Sequence, residues 1–301
     1  MGGLEEKVKR MAEYLDAEAI SAALKIPVET VQDILDGKAQ VQEVPGASGA
    51  PAVVQVSSAR VAYRQRVIAV WRARGGVGAT TVALGLAWLL KDLMRVLLVD
   101  CSFEAGIGDI SFVLDLPEYP HIKAFEYGGI AGAVVNAESN LDVLQAPRNR
   151  SEIDELPQDV LARAVNSARP AYDVIICDLP NAEGPPVQGV LESANTLLLV
   201  TGGEDGEKSR LLARLAGVDL KGKEVFLLCN RGSGGGGPIS EVLSFREFAV
   251  PADPELARGL RRGQVFSLNG PFMRALVEVR DAMYEGSANQ KGGILRRLFG
   301  R

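Results

Sequence analysis

Three glycines and two threonines lie close together in RARGGVGATT, residues 72–81, directly after the apolar run VIAVW. Glycines let a backbone approach a phosphate closely and direct several N–H groups at it. The N-terminus of a following helix adds the positive end of its dipole. Thr80 stands where a hydroxyl would bind Mg²⁺, and Thr81 stands where a second hydroxyl would bond a phosphate. The order of strand, loop and helix start therefore predicts a phosphate-binding loop.

The elements that would position this loop follow from the hydrophobic pattern after Arg66. Continuous, β-rich apolar runs alternate with amphipathic segments, which favours strands buried on both faces of a parallel sheet. The pattern predicts an α/β class domain over residues 66–285, with a doubly wound, mostly parallel sheet. Helices are expected over 253–262 and 271–285. The predicted strands are VIAVW, RVLLVD, LDVLQA, YDVIICD, TLLLVT and EVFLLCN.

The loop resembles the deviant Walker A motif of the MinD/ParA family of P-loop ATPases, usually written KGGxGKTT. Residues 74–81 match that motif except at its two lysines. The resemblance implies ATP and Mg²⁺ as ligands. It also implies a homodimer in which the first lysine, here Arg74, reaches the partner's phosphates during catalysis. The nucleotide-binding residues it implies are Gly75, Gly76, Val77, Gly78, Ala79, Thr80 and Thr81, with Thr80 also a metal ligand.

The second lysine of the motif contacts the terminal phosphates, and Ala79 replaces it in this chain. Losing a charge-assisted contact where charge builds up during hydrolysis costs about 2–4 kcal/mol. The resemblance therefore implies a degenerate site in which ATP hydrolysis is weak or absent.

Residues at the ends of later predicted strands also resemble motifs of the MinD/ParA family. Asp100 stands where the family has a DxD motif that orients the attacking water, although Ser102 replaces its second aspartate. Asp178 ends a strand that resembles Walker B and would hold Mg²⁺ through water. Asn230 falls where the family places the asparagine that reads adenine. Pro251 lies in a segment similar to the one that packs beside the base.

A shorter stretch, GDISFVLDL, is similar to one in the CpaE/TadZ branch, which places pilus and secretion machinery at cell poles. The chain is therefore identified as a member of the MinD/ParA family nearest to MinD and CpaE/TadZ-like proteins. Members of that branch carry a larger receiver-like domain in front, and residues 1–65 of this sequence are not expected to form one.

Composition argues against several other kinds of site. A single histidine, His121, among 301 residues leaves little room for Ser–His or multi-histidine metal chemistry. The net charge of −5 argues against a surface coated by nucleic acid. Three separated cysteines without a CxxC motif indicate buried thiols in a reducing cytosol. We find no secretory signal and no apolar run long enough to span a bilayer, so a cytoplasmic protein is expected.

The C-terminal segment, residues 286–301, is predicted to be a linker followed by an amphipathic tail. In GGILRRLFGR, apolar residues form a narrow helical stripe flanked by arginines, a pattern typical of an interfacial helix on an anionic membrane. It resembles the membrane-targeting sequence of MinD, and two copies in a dimer would bind with avidity. The predicted membrane-binding residues are Ile294, Leu295, Arg296, Arg297, Leu298 and Phe299.

The front of the chain, residues 1–37, shows two short apolar-periodic segments hinged at KIPVE. This pattern is typical of a helix-turn-helix module. Residues 38–65 are rich in Pro, Gly, Ser and Ala and are expected to be a flexible linker. The second helix is acidic, so protein docking or dimerisation is favoured over DNA binding. In the predicted module Ile20, Ala23 and Leu24 pack on Val28, Val31, Ile34 and Leu35.

These observations favour a MinD/ParA-like, ATP-binding positioning protein, dimeric and peripheral at the inner face of the cell membrane. It would recruit or place cell-division, pilus/secretion or flagellar machinery, with an unknown protein as its cargo. Two alternatives stay open. One is a scaffold that binds no nucleotide, and the other is a DNA-binding regulator that uses the front helices.

Overall fold

The chain divides into two compact units, Met1–Tyr63 and Arg64–Arg301. The structure, a computed structural model, describes most of the second unit and parts of the first. The described residues are 8–9, 12, 17, 20–21, 28–36, 39–42, 55–58, 65–231, 245–260 and 270–288.

The first unit contains helix α1 (Val28–Leu35) and a small apolar cluster. Ile20 packs with Val31 and Ile34 in this cluster, as the helix-turn-helix pattern predicts, and Val8 joins them. Leu35 is instead exposed. Ala23 and Leu24 lie outside the described residues, and the helix-turn-helix assignment itself stays a prediction.

The segment expected to be a flexible linker contains two short strands, which corrects that expectation. Strand β1 (Ala39–Gln42) pairs antiparallel with β2 (Gln55–Ser58), and Val41 lies opposite Val56. Strand β1 alternates apolar and polar residues, which suits a pleated strand, whereas β2 has one valine among polar residues. Each strand covers only four residues, so the surrounding Pro, Gly and Ser obscured this signal.

In the second unit, eight strands within the described residues form one sheet in the order β10-β9-β8-β3-β7-β4-β6-β5. All neighbouring pairs are parallel except β5 with β6. The six predicted strands are all present, and the sequence analysis missed β5 and β10. The strands are β3 (Arg66–Arg72), β4 (Val96–Asp100), β5 (Val135–Glu138), β6 (Leu141–Leu144), β7 (Val174–Asp178), β8 (Thr196–Thr201), β9 (Glu224–Asn230) and β10 (Arg246–Val250).

Helices cover the sheet and confirm the doubly wound α/β class. Alternate residues of β3, among them Val67 and Ala69, pack with two helices, α6 and α7, in one buried cluster. Helix α2 packs on β3, β4 and β7 and approaches α10 closely, where a Cβ on Gly85 would lie 2.6 Å from Leu276. The helices are α2 (Ala79–Leu90), α3 (Asp109–Val113), α4 (Phe125–Ala133), α5 (Arg150–Asp154), α6 (Val160–Ala168), α7 (Pro185–Ser193), α8 (Asp205–Leu215), α9 (Pro254–Leu260) and α10 (Pro271–Ala288).

The carboxyl end of β3 lies between those of β7 and β8, at the point where the connections diverge to either side of the sheet. In an open α/β sheet this is where ligands bind. The guanidinium of Arg214 on α8 covers the ring of buried Trp71 at 4.5 Å from its centroid. Arg214 Nη1 also donates to the carbonyl of Arg72 at 2.9 Å, which fixes the end of the strand.

Two general expectations can be compared with the described residues. The three cysteines, Cys101, Cys177 and Cys229, are free and buried. Among the helices that the structure describes, none has the length and apolar character needed to cross a bilayer.

Candidate nucleotide site

The glycine loop connects the end of β3 to the first residue of α2, Ala79. Gly76 and Gly78 have φ values of 77° and 88°, a region that glycine adopts without the steric cost of a Cβ. No side chain caps the N-terminus of α2. The N–H groups of its first turn are therefore suited to bind an anion, with the positive end of the helix dipole behind them.

Asn230, at the end of β9, is joined to this loop by its side chain. It is buried, and its Nδ2 donates to the carbonyl of Val77 at 2.6 Å. A Cβ on Gly78 would lie only 2.3 Å from Asn230 Nδ2, so the contact requires a glycine there. The amide keeps a second N–H and its Oδ1. That pair matches the N7 acceptor and N6 donor of adenine.

A pocket opens beside Asn230 and brings together residues from distant parts of the sequence. The resemblance had indicated Thr81, Asn230 and Pro251, and all three line it. Its walls combine polar and apolar side chains, and the apolar ones suit the flat face of a base. Sequence reasoning missed the remaining lining residues, which come from the end of β9, the turn after β10, α9 and α10: Arg231, Ala252, Asp253, Leu256, Ala257, Leu260 and Phe272.

The two expected metal ligands, Thr80 and Asp178, meet at the start of α2. Thr80 Oγ1 donates to Asp178 Oδ2 at 2.7 Å. A third residue, Arg72, occupies the same place: its Nη2 donates to Asp178 Oδ1 at 2.8 Å and to Thr80 Oγ1 at 3.2 Å. Sequence reasoning took Arg72 only as part of the loop and gave it no role.

This arrangement does not fit Mg²⁺ beside Arg72. A guanidinium is always charged, and here it already neutralises the carboxylate that would hold the ion. Asp178 is also buried, which raises its pKa, while the nearby Arg72 opposes that rise. Among the described residues there is no group of three or more His, Cys, Asp or Glu placed to hold a metal. The residues present at this site therefore do not suit a divalent cation.

Asp100 lies next to Asp178, because β4 and β7 pair in register at these two residues. Burial raises the pKa of Asp100 to about 7; the N–H of Ser102, which donates to Oδ1 at 2.9 Å, lowers it, and the charge of Asp178 adds to the rise. A carboxyl group with a pKa near neutrality suits a general base. The contact of Ser102 with Asp100 comes from its backbone N–H, which any residue other than proline could supply at this position.

Arg74 makes an ion pair within its own chain. Its Nε donates to Glu207 Oε1 on α8, and Glu207 is only 1% exposed. Thr201 Oγ1 and the N–H of Gly202 also donate to this carboxylate. Burial tends to raise the pKa of Glu207, but these hydrogen bonds and the charge of Arg74 outweigh it and lower the pKa overall. Glu207 therefore holds Arg74 as a carboxylate.

The remaining predicted residues divide into two groups. Ala79 is buried at the first position of α2 and supplies no charge to the loop. The predicted membrane-binding residues, from Ile294 to Phe299, lie outside the described residues, so their role stays a prediction.

Known proteins resemble this domain. A family model described as an AAA domain matches residues 65–206. The MinD cell-division ATPase of Pyrococcus furiosus superposes with a TM-score of 0.64 at 20% identity, covering 74% of this chain and 99% of that one. The α/β domain therefore has the fold of the MinD and ParA ATPases.

Two further solved structures give similar values. A MinD of Pyrococcus horikoshii in complex with Mg-ADP superposes with a TM-score of 0.63 at 18% identity, covering 76% and 99% of the two chains. A ParA family ATPase from Chlorobium tepidum gives 0.62 at 21% identity, covering 74% and 99%. At these identities the likeness concerns the fold alone.

One curated relative is similar to this chain over part of its length, and its name states no function. An uncharacterized protein of Mycobacterium tuberculosis is 28% identical over 143 residues, which are 45% of this chain and 39% of that protein. The aligned region thus spans less than half the length of this relative.

Proposed function

We propose that this α/β domain is a MinD/ParA-like ATP-binding domain and that it hydrolyses ATP poorly or not at all. We also propose that the protein positions other cellular machinery. The observation that carries this proposal is the link between loop and pocket: Asn230 bonds Val77 in the glycine loop and also lines the adjacent apolar pocket. A triphosphate on the loop and a base in that pocket would occupy neighbouring sites.

Weak hydrolysis follows from three features of the site. Ala79 offers no cation to the terminal phosphates, and Ser102 offers no second carboxylate. Arg74 is paired with Glu207, so its guanidinium is not free to contact a phosphate. Preorganised charge accounts for much of the catalysis of phosphoryl transfer. We expect turnover far below that of a family member with both lysines, and turnover at the rate of such a member would contradict this part of the proposal.

Calorimetric titration of the purified protein tests nucleotide binding. We expect ATP to bind in the micromolar range and roughly tenfold more tightly than GTP, because a bidentate amide–adenine contact discriminates by about 1–3 kcal/mol. Inorganic triphosphate serves as the control, because it can bind the glycine loop but has no base to enter the pocket beside Asn230. Absence of heat with all three ligands would reject nucleotide binding and leave the scaffold alternative.

Dimerisation and attachment to the inner face of the membrane complete the proposed function. The support for attachment is the sequence pattern of the tail, an apolar stripe flanked by arginines. A single short amphipathic helix binds weakly, so two copies joined in a dimer would bind with avidity. Positioning of cell-division, pilus/secretion or flagellar machinery would then depend on a cargo that binds the attached dimer.

Co-sedimentation of the full chain with vesicles tests attachment. We expect binding to vesicles rich in phosphatidylglycerol and a roughly tenfold loss in Leu298→Glu, because burial of one leucine contributes about 1.5–3 kcal/mol. Purely zwitterionic vesicles provide the control and should bind less. Equal binding by wild type and variant would exclude the tail, and binding that ATP does not change would favour a nucleotide-free scaffold.

A further inference from the structure

Arg72 occupies the place where the fold would otherwise hold a divalent cation. It is the last residue of β3, and its guanidinium contacts Asp178, 106 positions later in the chain. Arg72 bonds Oδ1 of Asp178 and Thr80 bonds Oδ2. Each carboxylate oxygen thus already has a partner within the chain.

The hydroxyl of Thr80 is similarly engaged. A threonine hydroxyl has one proton to donate and two lone pairs. Here the proton goes to Asp178, and a lone pair accepts the N–H of Arg72 at 3.2 Å. Mg²⁺ demands near-ideal octahedral oxygen ligands at about 2.0–2.1 Å. Coordination by Thr80 would require this hydrogen-bonded triangle to open.

Opening the triangle would be unfavourable for electrostatic reasons. The Arg72 side chain is only 16% exposed, and the carboxylate of Asp178 that it neutralises is 3% exposed. A dication placed beside the guanidinium would be repelled strongly, because charges interact more strongly in a partly buried site than in water. The backbone of Arg72 is also fixed by the hydrogen bond from Arg214 to its carbonyl.

Arg72 retains capacity for a ligand. Its contacts to Asp178 and Thr80 both come from Nη2, and the side chain is partly exposed. A guanidinium presents five N–H donors in a planar fork that suits phosphate oxygens. The same group can therefore compensate Asp178 on one side and meet an anion on the other.

We propose that Arg72 is a built-in replacement for the divalent cation, so that the site takes a nucleoside triphosphate as the metal-free anion. This inference rests on the proposed nucleotide binding and specifies the form of the ligand. Mg²⁺ in solution would then compete with Arg72 for the same phosphate oxygens, and it would weaken binding.

Calorimetric titration with ATP, once in EDTA and once in excess Mg²⁺, tests the inference. We expect the wild-type protein to bind ATP at least as tightly in EDTA as in Mg²⁺. In Arg72→Ser we expect metal-free binding to fall by about tenfold or more, the scale of one lost charge-assisted contact, while Mg²⁺ now strengthens binding. Arg150→Ser, at an exposed arginine on α5, serves as the matched control and should behave as the wild type does.

The outcomes separate this inference from the proposed function. If wild-type protein binds ATP only with Mg²⁺, Arg72 does not replace the cation, while nucleotide binding stands. If wild-type protein binds ATP under neither condition, both proposals fall. The wild-type comparison needs no variant, so it decides the question even if Arg72→Ser fails to fold.

Discussion

Replacing Ala79 with lysine should strengthen ATP binding by about 10- to 100-fold, since a charge-assisted contact to phosphate contributes about 1.5–3 kcal/mol. Ala79 is the first residue of α2 and directly follows Gly78, so a side chain there starts beside the glycine loop. Calorimetric titration of Ala79→Lys and of the wild type with ATP measures the gain in affinity. Both titrations are done in EDTA, so that Arg72 and the new lysine act on the same metal-free ligand.

The same substitution should lower the stability of the nucleotide-free protein. A cation at a helix N-terminus opposes the helix dipole, and Ala79 is only 1% exposed, so the new charge is partly desolvated. We expect a loss of about 1–3 kcal/mol in the free energy of unfolding. Ala79→Met is the matched control, because it adds a stem of similar length without the charge. If methionine improves ATP binding as much as lysine does, the missing charge is not what weakens the site.

Replacing Gly78 with alanine should damage both stability and binding. Its φ of 88° is unfavourable for an L-residue by about 1–2 kcal/mol, and the new Cβ would lie 2.3 Å from Asn230 Nδ2. Asn230 would have to move and release the Val77 carbonyl. We expect the free energy of unfolding to fall by about 2–4 kcal/mol and ATP binding to weaken by at least about tenfold.

Gly75→Ala is the control for this prediction. A Cβ at Gly75 would meet no atom within 4 Å, and its φ lies outside the region that disfavours alanine. Its stability should therefore change by less than about 1 kcal/mol. Thermal unfolding of both variants without nucleotide makes the comparison, and equal losses at the two positions would show that the Gly78–Asn230 contact does not constrain the loop.

The sequence was sufficient to predict a doubly wound, mostly parallel sheet and six of its strands, because buried parallel strands have a strong signal. Runs such as TLLLVT are apolar at consecutive positions, and parallel strands place their ends at one edge. Asp100 and Asp178 could therefore be expected to meet there. The missed strands lie at the two edges of the sheet. VNAE in β5 alternates half-buried and exposed residues, and REFAV in β10 is only partly buried, so neither gave an apolar run.

Side-chain contacts across the site could not be predicted in the same way. Arg72 follows an apolar strand, and nothing in its immediate neighbours indicates that its guanidinium contacts Asp178. Glu207 belongs to no recognisable motif, yet it accepts a hydrogen bond from Arg74, which lies 133 positions earlier in the sequence. Such pairings depend on rotamers and on the spacing of strands after folding. A glycine motif, in contrast, acts through the local backbone and can be read from adjacent residues.

The cover that Arg214 forms over Trp71 has an optical consequence. The chain contains two tryptophans, and Trp71 is 2% exposed, immediately before Arg72 in β3. Its indole is shielded from water and carries a cation on its ring face, and its Nε1 has no hydrogen-bond partner in the described structure. The emission spectrum and quantum yield of an indole depend on those conditions. The protein thus carries an intrinsic fluorophore at the end of the central strand, next to the arginine on which the proposed metal-free binding depends.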